Sequence, residues 1–413
     1  MKKAVVVLTM VSVLLVVSVA ACGVISPPTT TSSTTTISTT TTTTEPSPSW
    51  TNLQVTGEAP SPRCYQSLAY DSVSRKMLMF AGSGSGGSLS ETWAYDPTAN
   101  KWANLSPASE TQPSAGGQIP AVYDPVTGKV IAFDGTTWGY DPVANTWGAL
   151  NPKGKLTPAR IGASMAYNSN TGKVFLFGGT DMTTWFNELW LYDPVVNTWT
   201  RLGPPEEVQS KKGATTTTLP ADTMPTGRSD AGMAFDPRSG KVILFGGIDA
   251  DYACLDDTWS YDPVTNRWTR LTPEGESPAA RSAHAMAYDQ HSGKIILFGG
   301  IDSQFASYND TWAYDLKANK WTNLAPAGDS PPARGRTSMV YAFGIDKLLL
   351  FGGAAIQQDA AGGFGGQVYF NDTWAFGVGA PSVGSAPADT AVTETTLSAS
   401  TTLGPQNAAT TSP

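Results

Sequence analysis

Thr311-Trp-Ala-Tyr-Asp315 followed by Lys320-Trp-Thr-Asn-Leu324 places two tryptophans nine residues apart across a turn. The same spacing joins Trp93 to Trp102, Trp138 to Trp147, Trp190 to Trp199 and Trp259 to Trp268. A sixth copy opens at Trp374, where the partner position holds Val383. Upstream of each pair lie two further segments. One begins with Arg and alternates small and apolar residues, as in Arg281-Ser-Ala-His-Ala-Met-Ala-Tyr-Asp289, and the other is an apolar run ending in Phe-Gly-Gly, as in Lys294-Ile-Ile-Leu-Phe-Gly-Gly300. Phe245, Phe298 and Phe351 fix the typical period at 53 residues, so the chain is read as a repeat array.

The segments are short, alternate with period two, and are rich in aromatic and β-branched residues, which predicts strands. Between the third and fourth lies Asp-Pro-x-x-Asn, as in Asp96 to Asn100 and Asp262 to Asn266. Asp caps such a turn, Pro presets φ, and Asn accepts a left-handed conformation. Four antiparallel strands repeated radially make a β-propeller blade. Six blades are expected, starting at Arg63, Gly116, Arg160, Arg228, Arg281 and Arg334. Trp50 precedes Arg63 by 13 residues, the interval that separates Trp147, Trp268 and Trp321 from the next blade. Trp50-Thr-Asn-Leu53 therefore reads as a fourth strand lent to the last blade, closing the ring and removing exposed edges.

Arg281…His284, Phe298-Gly-Gly300, Asp310-Thr-Trp312, Tyr314-Asp315 and Trp321 resemble the kelch motif, with five good copies and one degenerate one across residues 50 to about 379. The resemblance implies an all-β, six-bladed propeller closed by its N-terminal strand. One such fold hosts many activities.

The ends set a compartment. Met1-Lys-Lys3, an apolar run from Ala4 to Val19 and small residues before Cys22 predict a secretory signal over 1–21. Val19-Ala-Ala-Cys22 resembles a bacterial lipobox. Lipidation of Cys22 would anchor the protein to the outer face of a membrane; cleavage after Ala21 without lipidation is the other reading. From Thr29 to Thr44 every residue but Ile37 is Ser or Thr, so 22–49 is expected to be an extended stalk, with the propeller over 50–379 and a disordered tail over 380–413. A net charge of −8 with 26 Lys and Arg and no basic run argues against nucleic acid. The expected partner is a protein or glycan, the membrane is reached only through the lipid, and the ring is expected to be monomeric. Whether Cys64 and Cys254 pair is left open.

An acid stands two residues before the third-strand Trp in five blades: Glu91, Glu188, Asp257, Asp310 and Asp372. The second blade has Thr136 there, and it also has Gly116 where the others carry Arg. Joint loss of both charges is what a pairing predicts, so Arg63, Arg160, Arg228, Arg281 and Arg334 are read as structural partners of those acids. In kelch proteins that bind acidic peptides, arginines near the start of the first strand line the pocket, so the resemblance also offers the five as ligand-binding residues.

Loops between second and third strands share a face with the connections between blades, and their lengths vary most there. That face is the default binding surface. It carries Trp185, Tyr252, Phe305, Phe364 and Tyr369, suited to stacking on sugar rings or packing on a protein. Phe186, Tyr308 and Phe370, each four residues before a third-strand Trp, mark a packing position instead.

No catalytic constellation, metal or cofactor is assigned. His284 and His291 are the only histidines. His284 is expected to be a satisfied interior residue, and the copper cluster of galactose oxidase has no counterpart. Gly82-Ser-Gly-Ser-Gly-Gly87 has no following helix or Lys-Ser/Thr and reads as a flexible linker rather than a phosphate loop. Asp249-Ala-Asp251 offers too few oxygens to specify calcium. The alternative to a binding module is a cofactor-independent sugar mutarotase or epimerase resembling the periplasmic sialic-acid kelch enzyme, which needs an acid and an arginine converging at the channel mouth.

Overall fold

The computed structural model describes residues 47–107, 111–154, 157–203, 223–326, 328–358 and 364–378. Cys22 and the segments expected to be a leader, a stalk (apart from 47–49) and a C-terminal tail lie outside them. Every regular element among the described residues is a strand. The strands form six four-stranded antiparallel sheets, each a blade. Blade 5 shows the plan: Ala285–Asp289 innermost, then Lys294–Phe298, Thr311–Asp315 and Lys320–Asn323 outermost. Blade 6 comprises Ser338–Ala342, Lys347–Phe351 and Thr373–Val378, and its outer strand is Pro48–Asn52 from the other end of the domain, with Trp50 opposite Phe376. The N-terminal closure predicted from the 13-residue interval is the one observed.

The hydrophobic core is divided among the blade junctions. Six apolar clusters each draw on two neighbouring blades, such as Phe133, Val174 and Trp190 between blades 2 and 3, or Trp50, Phe298 and Leu350 between blades 5 and 6. The second strands, buried on both faces, therefore read as continuous apolar runs such as Lys294-Ile-Ile-Leu-Phe298.

Polar contacts repeat at the same junctions. Outer-strand Trp side chains donate Nε1–H to the Thr that opens the third strand of the preceding blade: Trp147 to Thr92, Trp199 to Thr137, Trp321 to Thr258, Trp50 to Thr311 and Trp102 to Thr373, at 2.8–3.1 Å. At the junction of blades 3 and 4 that position is Leu189, and Trp268 there is only partly buried. Thr311→Val leaves the buried Trp50 donor without its acceptor and should destabilise the ring by about 1–3 kcal/mol, read as a lower urea midpoint at unchanged slope.

The Gly-Gly pairs serve the junctions as well. Gly299 and Gly300 adopt φ of 68° and 104°. A Cβ on Gly299 would stand 2.5 Å from the Arg334 carbonyl of the next blade, and Gly300 N donates to that carbonyl at 2.9 Å. Only glycine allows both the conformation and the approach. In the turns between third and fourth strands, Asp96 Oδ1 accepts from Thr98 N and Ala99 N, and Asn100 has φ 51°. Asn100 then accepts from the Tyr95 hydroxyl at 2.7 Å and donates Nδ2–H to Leu53 O at 2.6 Å.

Two segments differ from the sequence reading. Gly82 to Gly87 is a tight hairpin, Ser83–Gly84 pairing with Gly87–Ser88. The long connection from Ala354 to Asn371 contains its own two-stranded ribbon, Ala354–Gln358 with Phe364–Tyr369. Both had too little alternation to be read as strands. Cys64 and Cys254 are free thiols.

Candidate functional site

The five blade-opening arginines lie inside the blades. Arg228, Arg281 and Arg334 each make a two-point pair with Asp257, Asp310 and Asp372, at 2.5 and 2.8 Å. Arg63 and Arg160 each reach one oxygen of Glu91 and Glu188, at 3.1 and 3.0 Å. In the four blades that keep the Gly-Gly pair, Nη1 also donates to the first Gly carbonyl, of Gly178, Gly246, Gly299 or Gly352. The acid has a second role, accepting Nε1–H of the third-strand Trp two residues on: Trp190, Trp259, Trp312 and Trp374. The packing-position aromatics Phe186, Tyr308 and Phe370 cover the guanidinium planes of Arg160, Arg281 and Arg334 at 3.9–4.1 Å. All five guanidinium side chains are at most 1% exposed, so a ligand would have to displace these partners to reach them. In blade 2, which lacks the pair, Trp138 donates instead to Asp134 at 2.8 Å.

Two residues beyond each of the six first-strand positions the chain turns inward, and these residues meet around the central channel. Tyr65, Gln118, Gly162, Asp230, Ala283 and Arg336 all adopt left-handed backbone, φ 54–64°. Their backbones close a hydrogen-bonded ring. Tyr65 N donates to Arg336 O (2.8 Å), Gln118 N to Tyr65 O (3.1 Å), Gly162 N to Gln118 O (3.4 Å), Asp230 N to Gly162 O (2.7 Å), Ala283 N to Asp230 O (2.8 Å) and Arg336 N to Ala283 O (2.7 Å). Left-handed conformation costs a non-glycine residue about 1–2 kcal/mol, and it persists where surrounding structure over-determines it, commonly at functional sites.

The ring frames a cavity of about 210 Å³ lined by first-strand residues of all six blades. Most of its hydroxyls already bond across junctions: Ser67 to Ile119 O, Ser164 to Ala231 O, and Ser338 to Gln66 O. The other end of the channel is aromatic, with Tyr70, Tyr123, Tyr167, Phe235, Tyr288 and Tyr341. At the polar mouth, burial raises the Asp230 carboxyl to about 6, against the opposing pull of Ser229 and Arg336. His284, one residue past the ring, is 6% exposed. Burial, then the charge of Arg281, push it down to about 3, so it is neutral. It stacks edge-on to Phe245 at 5.6 Å. The expected satisfied histidine is corrected, because neither ring nitrogen has a protein hydrogen-bond partner. His291 lies at the opposite end of its strand, bonded to Asp346 at 2.9 Å.

The mouth is surrounded by the loops that join second and third strands. Tyr252 and Phe305 stand at the tips of two loops built alike. Asp249 Oδ1 accepts from Asp251 N and Ala253 N, and Asp302 Oδ1 from Gln304 N and Ala306 N. The tip residues have φ 59° and 65° and are 63% and 56% exposed. Asp249 thus builds its loop, and no group of three metal-ligating side chains occurs among the described residues. Trp185, partly buried in blade 3, packs edge-to-face on Tyr252 at 5.5 Å. Tyr369 is drawn into the blade 6 ribbon opposite Ala354, and Phe364 begins the ribbon's second strand.

Sequence reading missed the acid and arginine at the mouth, Asp230 and Arg336. A signal existed: the position two after each blade-opening residue holds Tyr, Gln, Gly, Asp, Ala and Arg in turn, while the flanking motif repeats.

The chain belongs to the Kelch-repeat family. The family described as KLHDC2/KLHL20/DRC7 Kelch-repeats domain matches residues 27–224 and 208–382. A kelch propeller is in general a scaffold for protein interaction. Among similar proteins, acyl-CoA-binding domain-containing protein 4 of Arabidopsis thaliana is 24% identical over 287 residues, 69% of this chain and 34% of that protein. Multiple epidermal growth factor-like domains protein 8 of Homo sapiens is 28% identical over 204 residues, 47% of this chain and 6% of that protein. Dynein regulatory complex subunit 7 of Chlamydomonas reinhardtii is 28% identical over 116 residues, 28% of this chain and 10% of that protein. The chain thus spans about a third or less of each relative.

Proposed function

We propose that this propeller is an exported, Cys22-anchored recognition module that binds a protein or glycan at a bacterial surface through the loop-rich face of the ring. A lipid followed by a Ser/Thr stalk would present the disc away from the membrane, which suits recognition of large partners. The observation that carries the reading is the pair of Asp-locked loops holding Tyr252 and Phe305 outward. Aromatics on a prefixed backbone bind with little ordering cost, and Tyr252, edge-on to Trp185, and Phe305 both stay more than half exposed on adjacent blades.

The test combines glycan arrays and surface-protein pull-downs with the double variant Tyr252→Ala/Phe305→Ala. Partner affinity should fall by about tenfold or more, as for interface anchors. Stability should stay within about 0.5 kcal/mol, as for exposed sites. Unchanged affinity in the double variant would move the interface elsewhere; empty arrays and pull-downs would remove the reading.

A further inference from the structure

Arg336 and Asp230 belong to blades 6 and 4, and only Ala283 of blade 5 separates them in the backbone ring. None of the ion pairs among the described residues joins them, although the charge of Arg336 acts on Asp230. Opposite charges in part-buried surroundings are stable when paired, and each is costly alone. Here the hydrogen-bonded ring fixes both backbones, and the residue between them offers a single methyl. Arg336 is steadied by a bond from Nη1 to Gln367 Oε1 at 3.2 Å and by the Tyr65 ring, 5.1 Å from its guanidinium carbon. Its Nε–H is buried without an acceptor.

Neighbouring glycines make room for these groups. A Cβ on Gly162 would stand 3.2 Å from Asp230 Oδ2. One on Gly232 would stand 2.3 Å from His284 Nε2 and exclude the imidazole from its present position. Asp230 has one side-chain partner, Ser229 Oγ at 3.3 Å. One layer in, Gln66 donates Nε2–H to Phe351 O at 2.6 Å while its Oε1 has no donor. The same cavity thus gathers a cation with a free N–H, a carboxyl, an amide acceptor and a neutral imidazole with one donor and one acceptor.

We propose that the polar mouth of the channel binds a small zwitterion the size of a free amino acid, its carboxylate on Arg336 and its ammonium on Asp230. A ligand bearing both charges at short separation pairs each group that the ring keeps from pairing with the other. A polar remainder meets Gln66 and His284. The cavity of about 210 Å³ is large enough for a molecule of that size. This site lies inside the channel and is independent of partner binding at the loop tips.

Titration calorimetry on the full chain with free serine, threonine, asparagine and glutamine tests the assignment, each beside its N-acetyl and its carboxamide derivative. Saturable one-to-one binding is expected for the zwitterions, weakened about tenfold or more by blocking either end, since each block removes a charge-assisted contact. Asp230→Asn should abolish the penalty for N-acetylation, and Arg336→Gln the penalty for amidation. Both side chains are partly buried, so circular dichroism checks that each variant folds; the blocked ligands decide the matter on the unmodified protein in any case. No heat from any zwitterion, equal binding of the N-acetyl forms, or tighter binding of neutral monosaccharides would overturn the proposal.

Discussion

Trp50→Ala should lower the stability of the whole ring by about 3–5 kcal/mol, the range for removing a buried Trp. Trp50 is 4% exposed, lies 4.9 Å from Phe298 and 5.0 Å from Phe376, and donates to Thr311 at 2.9 Å. Its strand has no other covalent or sequence-local hold on blade 6, since its sheet partner Thr373–Val378 comes from the far end of the domain. Losing the side chain therefore weakens one blade, one junction and the closure together. Single domains are stable by only about 5–15 kcal/mol, so the loss is a large fraction of the total. Chemical denaturation gives the midpoint shift, and limited proteolysis should show earlier cleavage before residue 53. The comparison variant is Trp321→Ala, equivalent in burial and hydrogen bonding but within a blade made of consecutive chain. A Trp50 variant that unfolds like the native protein and keeps its N-terminal strand protected would refute closure as the source of stability.

The blade count, the strand order within each blade and the lent N-terminal strand were legible because each rests on a local, repeated requirement. Tryptophan must fill an inter-blade slot, Asn must accept a left-handed turn, and Gly must let a carbonyl approach. The Arg–acid pairing was legible for a different reason: blade 2 lost both members together, and Gly116 with Thr136 reported the contact by its absence. The channel mouth was not legible. Its members, Tyr65, Gln118, Asp230 and Arg336, are scattered over about 270 residues and meet only because the ring brings the same position of every blade to one axis. The role of Phe186, Tyr308 and Phe370 was half legible. Their recurrence marked packing, and only the coordinates show that what they pack on is a guanidinium.

Arg334→Met should cost about 3–5 kcal/mol at neutral pH, because breaking a buried pair from one side leaves the other charge uncompensated. Four hydrogen bonds are lost: two to Asp372, one to Gly352 O and one to Pro332 O, with Phe370 left stacked on nothing planar. Arg334→Met/Asp372→Asn should lose less than the sum of the two single changes, since the orphaned carboxylate is gone while the amide still offers an acceptor to Trp374. Arg63→Met should cost less, because Glu91 makes one contact and is 38% exposed, so water takes over its solvation. Acid supplies a second test. Burial opposes ionisation of Asp372, and the hydrogen bonds and charge of Arg334 outweigh it, holding the carboxyl below its usual range. A depressed carboxylate contributes fully above its unfolded value near about 4 and loses that contribution as pH falls through the folded value. Without Arg334 the same burial acts with its main opponent gone and raises the Asp372 carboxyl. The gap in stability between native protein and Arg334→Met should therefore be constant at pH above that raised value and narrow as pH falls from it towards the depressed value of the native protein. If Arg334→Met left stability unchanged at pH 7, or if the gap widened in acid, the pair would not be the structural element that its geometry and its recurrence in five blades make it.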